Sequence, residues 1–135
     1  MSRGVGILRA WCVAVALALA GCSTAPAQPQ EFTDLDGCVD RQDAAYLSMK
    51  RQAVTVMAGQ GLDLPEALTG LEAAAKIRTN RAASLSSEDS RFLSQHGFFG
   101  LYGSTTFSPA RFAALRTCME QRYGMKIRTI EVRSP

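Results

Sequence analysis

Residues 63–78, DLPEALTGLEAAAKIR, decide the fold class. Asp63 is suited to cap a helix, Pro65 fits its first turn, and Glu66, three residues after the cap, completes a capping-box pattern. From there apolar residues recur at spacings of three and four, at positions 64, 67, 68, 71, 74 and 75. This spacing places them on one face, so the segment predicts an amphipathic helix that buries one side.

Similar start and stop signals predict three further helices. One covers residues 35–58 and ends at a glycine pair, one starts near Ser86, and one follows Ser108 and ends at Gly124. In the first of these, Val54 belongs to the predicted buried stripe. Four helices in one short domain predict an all-α fold, a small four-helix up-down bundle.

The first 30 residues have the plan of a secretory signal. Arg3 and Arg9 are the only charged residues before position 22, and residues 10–20, AWCVAVALALA, form an unbroken apolar run. A membrane-spanning helix needs about 20 apolar residues, so this run is too short to be one. We expect residues 1–21 to be a cleaved signal peptide and residues 22–33 a flexible tether. The folded domain then covers residues 34–124, before a C-terminal tail or short strand at 125–135.

The boundary Leu19-Ala20-Gly21-Cys22 resembles the lipobox of bacterial lipoproteins. The resemblance implies cleavage before Cys22, a thioether-linked diacylglycerol on its sulfur, and a membrane partner bound through that lipid. An ordinary cleaved signal with an incidental cysteine is the alternative. Ser23 is not the acidic residue that retains enterobacterial lipoproteins in the inner membrane. The expected location is therefore the outer membrane, facing the periplasm.

Two cysteines remain for the exported domain. Cys12 lies in the apolar run and Cys22 takes the lipid, which leaves Cys38 and Cys118 in an oxidising setting. We predict one structural disulfide between them. A metal pair is disfavoured because His96 is the only histidine and no C-x-x-C motif is present, so no metal or other cofactor is expected.

The charge distribution gives no case for a nucleic-acid partner. Loss of Arg3 and Arg9 with the signal lowers the formal net charge from +3 to +1. A nearly neutral domain has no general attraction for a phosphate backbone. In an up-down bundle the first helix starts beside the end of the fourth, which predicts that two groups of charges meet there: Asp36, Asp40 and Asp43 with Arg116, Arg122 and Lys126.

The sequence contains no catalytic constellation. His96 has Ser94 and Gln95 as neighbours in sequence, but adjacent helical residues do not face each other, so no base and nucleophile are paired. The acidic residues lie near predicted helix starts or on polar faces, which disfavours a two-carboxylate glycosidase. We therefore expect a protein that is not an enzyme.

The segment 95–104, QHGFFGLYGS, is the least typical of a helical domain. Its glycines alternate with large apolar residues, although each glycine within a helix costs about 1 kcal/mol relative to alanine. Two interpretations stay open, a structural corner whose aromatics fill the core or an aromatic patch that docks a protein partner. For the second we predict Phe98 and Tyr102 as the partner-binding residues, with Phe99 in the core.

Two stretches, 51–71 and 101–118, resemble small disulfide-bonded helical proteins exported by proteobacteria. The overall plan also resembles that of helical secretion-system pilotins. These resemblances imply a non-enzymatic binding or assembly accessory. The alternative is an inhibitor or immunity lipoprotein that neutralises an enzyme attacking the envelope. Residues 126–132, KIRTIEV, allow a turn, a short strand or a tail.

Overall fold

The computed structural model describes residues 30–80, 83–101 and 106–134. Within these ranges the chain forms five helices, α1 (Gln30–Asp36), α2 (Ala44–Gln60), α3 (Leu64–Thr79), α4 (Ser87–Gln95) and α5 (Pro109–Tyr123), and a 3₁₀ turn, Phe98–Gly100. The described residues contain no strand, and one isolated antiparallel bridge joins Ser84 to Arg133. The all-α prediction is confirmed. The predicted signal peptide, the lipid site at Cys22 and most of the tether lie outside the described residues.

The predicted first helix, residues 35–58, is in fact two helices. α1 begins at Gln30, inside the predicted tether, because Phe32 and Leu35 bury their side chains and give it a packed face. The chain then turns at Gly37, where an added Cβ would meet the Tyr123 hydroxyl. Helix α2 starts afresh at Ala44, since the Asp43 side chain accepts a hydrogen bond from the Tyr46 backbone N–H.

Helix α3 is the centre of the domain. Ten of its 16 residues are buried, and it packs against α2, α5 and the 3₁₀ turn. A helix that is apolar on most sides is typical of a core position, and its small side chains allow close neighbours. The predicted capping box is present, with Asp63 and Glu66 each accepting from the other's backbone N–H.

The C-terminal segment is part of this core. Ile127 and Ile130 are buried, and the Thr69 hydroxyl donates to the Arg128 carbonyl at 2.7 Å. The Ser84–Arg133 bridge holds its far end. The folded domain therefore extends beyond residue 124, because the two isoleucines bury apolar surface that a solvated tail would expose.

The disulfide between Cys38 and Cys118 is present, as predicted. Cys38 lies in the turn after α1 and Cys118 lies on α5, with their Cα atoms 5.9 Å apart. The Arg122 guanidinium also donates to the Gly37 carbonyl at 3.0 Å. Together these links fasten the first short helix to the last one.

The predicted gathering of acids and bases at one end is only partly present: Arg122 contacts Gly37, next to Asp36, but Asp43 pairs with Arg111 at the start of α5. The break at residues 37–43 places Asp36 at the end of α1 and Asp43 just before α2, so the acids of this region do not share one helix end. Asp36 and Asp43 pair with Lys50 and Arg111 instead, and the Asp40 carboxylate accepts a hydrogen bond from the Gln42 backbone N–H. The ion pairs that replace the predicted cluster are Asp36–Lys50, Asp43–Arg111, Glu72–Arg116 and Glu120–Lys126.

Candidate functional site

A cleft of about 320 Å³ opens where α3 begins, between α4 and the C-terminal segment. None of the described helices is long and apolar enough to cross a bilayer. The cleft combines two acids, two bases and an aromatic ring. Its lining residues are Asp63, Pro65, Glu66, Thr69, Phe92, Lys126 and Arg128.

The capping box of α3 builds the acidic wall. Asp63 Oδ1 accepts from the Glu66 backbone N–H at 2.9 Å, and Glu66 Oε1 accepts from the Asp63 N–H at 3.3 Å. The same bonds that start the helix therefore fix the two carboxylates. Both residues remain exposed, so they can contact a ligand at the mouth of the cleft.

Lys126 and Arg128 form the basic wall of the cleft, and contacts fix the position of Arg128. Its guanidinium pairs with Asp89 at 3.0 Å and lies 5.5 Å from the centre of the Phe92 ring. Its carbonyl accepts from Thr69, which anchors the backbone. Lys126 is different, because its side chain is 86 % exposed and its ion pair with Glu120 is long, at 3.8 Å. The Lys126 ammonium is thus the most accessible cation of the cleft.

The cleft is equipped for binding. The Thr69 hydroxyl is its one alcohol, and the single hydrogen is committed to two backbone carbonyls, those of Pro65 and Arg128. Within the described part of the chain no three histidine, cysteine or acidic side chains are placed to hold a metal. Two fixed carboxylates opposite two cations suit a ligand that carries both charges, and Phe92 offers an apolar contact.

A second titratable cluster, Asp36, Tyr46 and Lys50, is saturated by its own contacts. The Tyr46 hydroxyl and the Lys50 ammonium both donate to the Asp36 carboxylate. Burial raises the pKa of Asp36, but these two hydrogen bonds outweigh it and hold the pKa below its ordinary value. Burial and the hydrogen bond to Asp36 raise the pKa of Tyr46. This cluster joins α1 to α2 and leaves no group free for a ligand.

Phe98, predicted as an exposed partner-binding residue, is buried. Only 1 % of it is exposed, its ring stacks on Phe92 at 5.6 Å, and it lies against Gly70 of α3. Phe99, predicted in the core, is only partly buried and packs at the core's edge. The order is reversed because Gly97, with φ of +74°, turns the chain after α4 and directs Phe98 inward. Tyr102 lies outside the described residues.

His96 ends α4. Its backbone N–H donates to the Phe92 carbonyl, and its ring lies 5.1 Å from the Phe92 ring. The Nδ1 atom is buried and has no hydrogen-bond partner among the described residues. No described nucleophile is bonded to this ring, so the structure gives His96 a packing position.

Sequence reasoning missed the cleft for a physical reason. Lys126 and Arg128 lie in the segment 126–132, for which the sequence allows a turn, a short strand or a tail. The signal that could have found them is the pair of isoleucines at 127 and 130. Apolar residues after a helix stop indicate a segment that returns to the core and brings its charged neighbours with it.

Comparison of the chain with protein-family models, with curated proteins and with solved structures found no significant match. The assignment of a function therefore depends on the residues and geometry described above.

Proposed function

We propose that this protein is an envelope lipoprotein, anchored through the lipid on Cys22, that binds another protein as an accessory to an envelope or secretion complex. Its expected place is the outer membrane, facing the periplasm. Two features of the sequence support this location, the lipobox-like Leu19-Ala20-Gly21-Cys22 and the apolar run before it. The Cys38–Cys118 disulfide is compatible with it, because such bonds persist in oxidising compartments.

The observation that carries the binding role is the cleft at the start of α3. Its carboxylates are fixed by the capping box and its Arg128 by Asp89 and Phe92, so little side-chain freedom is lost on binding. A peptide segment with one acidic, one basic and one aromatic or aliphatic side chain fits these groups. Lys126 then supplies the contact that is most accessible and least committed.

A photoreactive residue at position 126 tests this proposal in cells. We expect one principal protein adduct in membrane fractions when the probe replaces Lys126, identified by mass spectrometry. The matched control places the same probe at Thr117, an exposed residue of α5 that does not line the cleft. Equal adducts at both positions would contradict the proposal.

A charge reversal adds a second readout. The Lys126→Glu variant should lose most of the adduct formed by a probe at Pro65, which lines the opposite wall of the cleft and takes no part in the capping-box bonds. Arg91→Glu, an exposed reversal on α4 outside the lining, should keep it. The nature of the captured protein also distinguishes the two classes considered for the sequence. A secretion or envelope component indicates an assembly accessory, whereas an envelope-degrading enzyme indicates an inhibitor.

A further inference from the structure

The outward face of α2 is unusually poor in charge. This helix contains no acidic residue, and its exposed positions are Ala44, Leu47, Arg51, Val54, Thr55 and Ala58–Gln60. Leu47 is 37 % exposed and Val54 is 47 % exposed, which makes them two of the three large hydrophobic residues exposed in the described part of the chain. They are seven residues apart, two helical turns, and so lie on the same side.

The packing of α2 does not account for this face. Val54 was expected in the buried stripe, but α2 instead buries Tyr46, Met49, Ala53 and Val56 against the core. The helix is therefore apolar on two sides, and only one of them is covered. A shallow depression of about 360 Å³ runs along the uncovered side, lined by Lys50, Arg51, Val54 and Thr55. Apolar surface rimmed by polar groups is typical of a contact surface.

The first described helix, α1, lies beside this face. Lys50, which lines the depression, pairs with Asp36 of α1, and its ammonium is 5.9 Å from the centre of the Phe32 ring. Gln30, where α1 begins, is two residues before Phe32. Cys22 is eight residues before Gln30. At no more than about 3.6 Å per residue, the covalent reach from the lipid to α1 is at most about 29 Å.

We propose that this face of α2 rests on the phospholipid leaflet that holds the lipid anchor. The inference rests on the proposed lipidation of Cys22. Leu47 and Val54 would enter the boundary between headgroups and acyl chains. Arg51 lies between them and makes no ion pair with any described residue, so its guanidinium can pair with lipid phosphate. The Lys50 charge is already neutralised by Asp36 and adds little.

The anchor makes such a modest surface sufficient. Two partly exposed aliphatic side chains and one cation would not hold a free domain at a membrane. A short covalent link raises the effective local concentration of the leaflet to the millimolar range. An orientation that is only weakly favoured, with the α2 face on the leaflet, therefore becomes populated. The α2 face then sets the orientation in which the rest of the domain meets the periplasm.

The mature chain offers a direct probe, because the only tryptophan of the sequence is Trp11, in the predicted signal. The lipidated L47W and V54W proteins are reconstituted in phospholipid vesicles with brominated acyl chains, which quench tryptophan fluorescence on contact. We expect the quenching of these two proteins to be at least about twofold stronger than that of Q95W. Gln95 is an exposed residue of α4 and serves as the matched control. In the V54W protein, Arg51→Glu should lower quenching toward the Q95W level, whereas Arg91→Glu should not.

The outcomes separate this proposal from the one on which it depends. If mass analysis finds no lipid on Cys22, both the proposed lipid anchor and the docking of α2 on the leaflet are refuted. If Cys22 is lipidated but L47W, V54W and Q95W are quenched equally, the anchor stands and the docking of α2 on the leaflet is refuted. Blue-shifted emission at position 54 that rises with protein density, without quenching by the brominated lipid, would instead identify a second copy of the chain as the occupant and overturn the proposal.

Discussion

The contact between Phe98 and Gly70 can be tested by changing both residues. Phe98 is 1 % exposed, and its truncation to alanine should lower the free energy of unfolding by about 3–5 kcal/mol, the range for large aromatics in cores. Gly70→Ala brings two opposing effects. Alanine gains about 1 kcal/mol in helix propensity, but its Cβ would collide with the Phe98 ring, an overpacking that costs about 1–3 kcal/mol.

When the two changes are combined, the effect of Gly70→Ala on the free energy of unfolding should change sign. In the Phe98→Ala background the ring is gone, so Gly70→Ala should become stabilising by up to about 1 kcal/mol. Gly59→Ala is the control, because Gly59 lies in α2 with nothing near its absent Cβ, and it should stabilise both backgrounds alike. Urea unfolding of the oxidised proteins, followed by circular dichroism, measures each value. Additive effects of Gly70→Ala and Phe98→Ala would refute this packing. A Phe98→Ala protein as stable as the parent would instead favour the interpretation of this segment as an exposed docking patch.

Three further predictions concern the links between helices. Replacing Cys38 and Cys118 by serine should lower unfolding stability by up to roughly 4–5 kcal/mol, since the bridge closes a loop of 80 residues; unchanged urea midpoints would contradict this. Arg116→Met should cost about 3–5 kcal/mol because it leaves the buried Glu72 unpaired, and adding Glu72→Gln should recover part of that loss. Asp36 has a lowered pKa, so its contribution to stability is full above about pH 4 and disappears as the pH falls through the folded-state pKa. Urea titrations across that range should therefore show a smaller acid loss for Asp36→Asn than for the parent.

The helices that carry strong local signals could be predicted from the sequence. The Asp63–Glu66 capping box and the helix after it are present, and so is the predicted bridge between Cys38 and Cys118. The break at residues 37–43 was missed because the turn at Gly37 depends on contacts with Tyr123 and Arg122 of the last helix. Local periodicity carries no information about such distant partners.

The candidate site was harder to predict for the same reason. The alternation of glycine and aromatic residues left a structural corner and a docking patch open, because its spacing could not say which ring turns inward. Gly97 adopts a left-handed conformation and directs Phe98 onto Gly70, a residue 28 positions earlier that carried no signal of its own. Lys126 and Arg128 reach the cleft only because Ile127 and Ile130 return to the core.

The central claim is that this domain is held at a membrane through Cys22. Its most direct test is the intact mass of the protein purified from membranes of cells that express the full chain, together with the mass of its N-terminal peptide. We expect a chain that begins at Cys22 and carries a diacylglycerol thioether, and a Cys22→Ser protein that is neither acylated nor membrane-bound. A membrane-derived chain that begins elsewhere, or one with a free thiol at Cys22, would contradict the account.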